Sequence, residues 1–94
     1  MVPQAANIVI IGGGVLGTSA AFHLASAGHK AIVLLDRGPI AGGTTPFAAG
    51  QTSYLPAKAY LLPFNTYCLE FFEHFADHTG YFIDFHQNGS YVWL

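Results

Sequence analysis

Asn7 to Asp36 reads NIVIIGGGVLGTSAAFHLASAGHKAIVLLD, and the order of short runs within it decides the fold. Asn7 to Ile11 is a β-branched run that stops at glycines, the pattern of a buried parallel strand. Val15 to Ala27 is rich in Ala and Leu, with Gly28 just beyond, which predicts a helix closed by glycine. Ala31 to Leu35 predicts a second strand that ends at Asp36. Strand, helix and strand over residues 7–36 form a βαβ unit whose crossover should be right-handed.

Between the first strand and the helix lies Gly12-Gly13-Gly14-Val15-Leu16-Gly17, which satisfies G-x-G-x-x-G in the place where that spacing has a physical meaning. Gly12 permits the tight turn, Gly14 leaves room for a pyrophosphate, and Gly17 lets the helix pack close to the strands. The first-turn amides, at Val15 and Leu16, then point at the phosphates, and the helix dipole adds roughly half a positive charge there. Ala21 and Gly28 continue the small-residue spacing, and Asp36 stands 19 residues after Gly17, where a carboxylate can accept from the ribose hydroxyls of an adenosine. Its charge disfavours a 2′-phosphate, although Arg37 beside it weakens that exclusion. These observations predict a Rossmann-like, FAD- or NAD(P)-binding α/β fold of three layers, incomplete within these residues.

Composition supports the incompleteness. Apolar residues make up 52% of the 94 and charged residues 9%, against about 25% charged in an ordinary soluble domain. So few charges cannot coat a domain this small, and much of the apolar surface is expected to be covered by further protein. Lys30, Arg37 and Lys58 are scattered and the formal net charge is −2, so there is no basic stripe for nucleic acid. Cys68 is the single cysteine and no Cys/His spacing resembles a structural zinc site, which suits a reducing compartment. No basic start leads into a long apolar stretch, and no run approaches the ~20 apolar residues of a membrane span. The expected location is the cytoplasm, or the mitochondrial matrix if the source is eukaryotic.

Beyond Asp36 the chain changes character. Residues 38–56 hold four glycines and three prolines and read as an extended binding loop. Phe64, Tyr67, Cys68, Phe71, Phe72 and Phe75 then recur on one face of a helix expected over about residues 57–79, with Gly80 as its stop. That face reads as core, and Cys68 on it as a buried thiol. Residues 81–94 are aromatic and partly alternating, with a turn at Asn88-Gly89, and read as the start of a strand region that breaks off in mid-strand. All 94 residues are thus expected to form the amino-terminal part of one nucleotide-binding domain.

The motif alone does not separate FAD from NAD, since both present the same adenosine diphosphate. The stretch LLDRGPIAGGTTPFAAGQ, from Leu34 to Gln51, resembles the amine-oxidising flavoprotein family that includes sarcosine and dimethylglycine dehydrogenases, glycine oxidase and D-amino-acid oxidase. The resemblance spans nearly the whole chain. It implies that Asp36 and Arg37 are the acidic residue and following Arg at the end of the second strand. It also implies that Gly43, Thr44 and Thr45 contact the flavin side of the cofactor, and that Ala48, Ala49 and Gly50 run beside the isoalloxazine ring. In the sarcosine and dimethylglycine dehydrogenase branch a Trp-His pair commonly precedes Ala-Ala-Gly, and that His carries the flavin covalently. Here the pair is Pro46-Phe47, which implies FAD held non-covalently. The implied reaction is oxidation of a C–N bond in a small amine or amino-acid substrate, with oxygen or a redox partner as electron acceptor. The residues that handle substrate are expected beyond residue 94. Two rivals remain: a fragment of an NAD-dependent dehydrogenase, and a nucleotide-binding regulatory module without catalysis.

Other residues suggest chemistry less strongly. His74 and His78, four apart with Glu70 one turn before, have a spacing that can bind a metal, but a solvated helix face is the expectation. His23 is expected to be a hydrogen-bonded structural residue. Tyr54 and Tyr60 follow the flavin-side loop and are placed near substrate by position alone.

Overall fold

The computed structural model describes residues 3–52, 56 and 58–89. By contacts the chain divides into two compact units, Met1–Ala49 and Gly50–Leu94.

The first unit is the βαβ element. Strand β1 (Ile8–Ile11) pairs in parallel with β2 (Ile32–Leu35), in a register that sets Ile8 beside Ile32 and Ile11 beside Leu35. Helix α1 (Val15–Ser26) joins them. Its end is a Schellman motif: the Gly28 amide donates to the Ala25 carbonyl at 3.0 Å and the His29 amide to the Leu24 carbonyl at 3.1 Å, with Gly28 at φ +95°.

Alternation along the strands gives the pair two apolar faces. Ile10 lies on the face that meets α1, 3.4 Å from where a β-carbon on Gly17 would stand. Val9 and Ile11 lie on the opposite face and are 54% and 86% exposed. The expectation of a buried strand is therefore corrected: among the described residues one face of the pair is covered, and no hydrophobic side chain is fully buried. A parallel pair needs a layer on each side to bury both.

In the second unit the expected single helix is in two pieces. A 3₁₀ turn (Ala59–Leu61) leads into α2 (Leu62–Glu73), and α3 (Phe75–Thr79) follows after His74, which leaves helical geometry at φ −110°, ψ 28°. Gly80 ends α3 in the left-handed conformation, as its position predicted. The aromatic face is only half a core. Phe71, Phe72 and Phe75 pack on one another, and Phe72 also stacks on Phe85 with ring centres 6.1 Å apart. Phe64 and Tyr67 stay 66% and 53% exposed. Residues 81–89 contain no strand, because a strand needs a neighbouring backbone to bond to and none is paired with this segment among the described residues. Gly89 has φ +79°, in keeping with the expected turn. Residues 90–94 of the expected strand region, Ala57 of the expected helix and Tyr54 lie outside the described residues.

Candidate functional site: the glycine-rich turn and its carboxylate

Gly12, Gly13 and Gly14 carry the chain from β1 to α1, Gly17 stands in the first turn of the helix, and each of the four meets a different constraint. Gly12 has φ +107°, a conformation that side chains strain, yet a β-carbon there would meet nothing within 4 Å. At Gly17 space decides. A β-carbon would stand 1.8 Å from the Gly12 carbonyl oxygen, so the first turn of α1 can lie this close to the bend only without a side chain. Gly13 is buried, and a β-carbon on it would fall 2.6 Å from Ile40 Cδ1 and 3.2 Å from Asp36 Oδ2. At Gly14 the neighbour is the Thr45 hydroxyl, at 3.1 Å.

Asp36 closes the turn from the other strand. Its Oδ2 accepts the Gly13 amide at 2.7 Å and its Oδ1 accepts the Gly38 amide at 2.8 Å. The Gly38 bond first and the Gly13 bond second hold the carboxyl below its ordinary value of 3.8; partial desolvation opposes them and the Arg37 charge assists. The carboxylate is thus an anion fixed in orientation. A carboxylate offers about four lone-pair sites, so two amides leave acceptor capacity for sugar hydroxyls.

Asp36 and Gly12 line an open cleft of about 490 Å³ together with Ile11, Leu35 and Arg37. It sits at the carboxyl ends of the two parallel strands, where open α/β sheets take their ligands. Arg37 lines the cleft beside Asp36.

The loop after β2 is tied onto the same turn. The Ala41 amide donates to the Gly13 carbonyl at 2.8 Å, with Ala41 held at φ +59°. The Val15 amide donates to Thr45 Oγ1 at 3.1 Å. The helical ladder begins with the Thr18 amide on the Gly14 carbonyl at 3.0 Å, which leaves the Leu16 and Gly17 amides outside it. Thr44 precedes a 3₁₀ turn (Thr45–Phe47), in which the Phe47 amide donates to the Thr44 carbonyl at 3.0 Å. A β-carbon on Gly43 would stand in open space, and Ala48 and Ala49 are exposed. Gly50, at φ +72°, opens the second unit.

Gly12, Gly14, Val15, Gly17, Asp36 and Thr45, singled out in the sequence, thus meet around one bend. Gly13, Gly38 and Ala41 were not singled out, because their contribution is a main-chain amide or carbonyl that any residue type carries. The one sequence signal was a third glycine between the two that the motif requires.

An adenine dinucleotide fits this arrangement. The bend carries no side chain at residues 12–14, the first helix amides lie outside the ladder, and an ionised carboxylate lines the adjoining cleft.

His23, His74 and His78 have structural partners. His23 Nδ1 lies 2.8 Å from the Ser19 carbonyl oxygen, the hydrogen-bonded role expected of it. His78 stacks on Phe71 with ring centres 5.1 Å apart, and His74 Nδ1 stands 3.5 Å from Asp77. Among the described residues no three His, Cys, Asp or Glu side chains gather as a metal site. Cys68 is half-buried rather than buried, and lines a cavity of about 230 Å³ with Gln51, Thr52, Asn65 and Leu69. Tyr60 is 77% exposed.

Residues 7–94 match the family model described as FAD dependent oxidoreductase (DAO), and the chain belongs to that family. It is 41% identical over 85 residues to the mitochondrial dimethylglycine dehydrogenase of Homo sapiens, a match covering 90% of this chain and 10% of that protein. Over 43 residues it is 49% identical to the mitochondrial sarcosine dehydrogenase of Homo sapiens, which covers 46% of this chain and 5% of that protein. Over the same length it is 51% identical to the mitochondrial pyruvate dehydrogenase phosphatase regulatory subunit of Mus musculus, again 46% of this chain and 5% of that protein. The chain therefore spans about a tenth, or less, of the length of these relatives.

Proposed function

We propose that this chain is the dinucleotide-binding segment of an enzyme that oxidises a C–N bond of a small amine or amino acid with FAD. The observation that carries the reading is the cleft at the ends of β1 and β2, where Gly12 and a fixed, ionised Asp36 meet. In it the bend would admit the diphosphate, the Leu16 and Gly17 amides would donate to it, and Asp36 would accept from the ribose. Arg37 and residues 43–50 belong to the same proposed site, with Gly43 to Thr45 and Ala48 to Gly50 towards the flavin. When bound, FAD supplies the two-electron acceptor for the carbon next to nitrogen, and the imine left behind is hydrolysed by water.

Family membership favours FAD over NAD. The dehydrogenase match over 85 residues favours an enzyme over a regulatory module, whose relative matches over 43. Phe47 offers no atom that could bond the flavin covalently, so FAD is held by non-covalent contacts. Dimethylglycine, sarcosine and D-amino acids are the substrate classes to test, on the strength of the relatives' names. The mitochondrial relatives favour the mitochondrial matrix over the cytoplasm as the location. No helix among the described residues is long and apolar enough to cross a membrane.

The test is to purify the full-length protein, record its visible spectrum, and add each candidate amine without oxygen. Flavin bands that bleach with one of these amines, and flavin that leaves the protein on acid precipitation, support the proposal. A colourless protein, or flavin that stays attached after precipitation, contradicts it.

A further inference from the structure

We infer that Asn88 is a self-modification site: its side-chain amide cyclises onto the Gly89 nitrogen and is then hydrolysed, leaving a carboxylate. The site lies outside the proposed cofactor cleft and does not depend on the FAD reading. Asparagine stands at positions 7, 65 and 88, and the structure treats the three differently. Asn7 donates its side-chain amide to the Lys30 carbonyl at 3.2 Å, and the next amide, that of Ile8, is bonded to the Ala31 carbonyl as β1 begins. Asn65 is half-buried inside α2, where the following Thr66 carries a branched side chain. Asn88 is exposed, stands outside every helix and strand of the described residues, and precedes a glycine at φ +79°. Among the described residues no hydrogen bond holds its side chain or the Gly89 amide.

Asparagine is among the thermally labile residue types, because its carboxamide carbon and the next main-chain nitrogen can close a five-membered ring. The Gly89 nitrogen gives its proton to hydroxide and bonds to Cγ of Asn88; the Cγ–Nδ2 bond breaks, and the nitrogen takes a proton from water and leaves as ammonia. Water then opens the ring at either carbonyl, which yields aspartate or, with the main chain running through the side chain, isoaspartate. The sum is amide plus water to carboxylate plus ammonium, with nothing oxidised or reduced. Such an intramolecular attack is governed by how often the two atoms reach near-attack distance. Glycine leaves the nitrogen unshielded and its backbone free to rotate, and no helix or ladder bond has to break first. The anchors of this segment end one residue earlier, where the Gln87 side chain donates to Glu73 Oε1 and Phe85 stacks on Phe72. The new carboxylate adds negative charge next in sequence to that contact, on a chain already at −2.

The test incubates the full-length protein in H₂¹⁸O at neutral and at mildly alkaline pH and follows each asparagine by peptide mass spectrometry. Asn88 should convert to labelled aspartate and isoaspartate, faster in proportion to hydroxide, while Asn7 and Asn65 stay intact. Its rate in the folded protein should lie within about tenfold of its rate in urea, since no element has to open. Gly89→Val, which shields the nitrogen, should cut the converted fraction to about a tenth or less. Asn88→Gln, whose ring would need one more atom, should abolish the conversion. Conversion of Asn7 or Asn65 as fast as Asn88 would overturn the inference. So would an Asn88 that stays intact in the folded protein while converting in urea, or a Gly89→Val protein that converts at the parent rate.

Discussion

The glycine-rich turn at residues 12–17 and the aromatic helix at residues 62–73 place opposite demands on side chains. The turn works by the absence of its own side chains: its partners are amides, carbonyls, one carboxylate and one hydroxyl, at distances of 2.7 to 3.1 Å. The helix works by their presence, and only where a partner ring arrives. Phe72 meets Phe85, while Phe64 stands 66% exposed on the same face. A motif made of main chain is complete within a few residues of sequence. A hydrophobic face is completed by whatever packs on it.

The sharpest way to break this contrast is Gly17→Ala. A single methyl would stand 1.8 Å from a backbone oxygen, so the turn must open. We expect flavin content in the full-length protein to fall below about a tenth, with a stability loss of about 3 kcal/mol in urea unfolding. In the helix the comparable change is Phe72→Ala. Its half-buried ring should cost about 2 kcal/mol, less than the 3–5 of a fully buried phenylalanine, and should leave flavin content intact. If Phe72→Ala released flavin as Gly17→Ala does, the division of labour between the two regions would be wrong.

Asp36→Asn probes the turn through charge. Folding lowers the Asp36 pKa, so its ionised form contributes stability at pH values above 3.8, and that contribution is lost as pH falls through the lowered value. The Tm difference between the parent protein and Asp36→Asn should be constant near neutrality and shrink as the pH drops below 3.8. A difference independent of pH down to acid unfolding would remove the carboxylate from the account. The smallest expected effect is at Ala41, held at φ +59° by its bond to Gly13. Ala41→Gly relieves that conformation and should raise stability by about 0.5 kcal/mol, the left-handed cost less the glycine entropy.

How much of this was legible in the sequence follows the same division. The parallel pair, α1, its glycine stop and the carboxylate at the end of β2 follow from local rules: β-branched runs, small-residue spacing and the position of Asp36. The inward turn of Asp36 onto Gly13 and Gly38 was not legible, since two of its partners are amides. Nor was the capture of the Val15 amide by Thr45, which depends on a loop folding back across 30 residues. In the second unit, periodicity found the helix but not its break at His74. It also read 81–89 as strand from alternation, although alternation supplies no partner for the ladder.

In the proposed function the side-chain-free bend beside Asp36 holds the diphosphate of FAD. The most direct test of this is the flavin content of full-length Gly14→Val, measured with its circular dichroism. A β-carbon there would crowd Thr45 Oγ1 at 3.1 Å and fill the space above the bend. The account predicts a colourless protein with unchanged secondary structure; a Gly14→Val protein with full flavin content would contradict it.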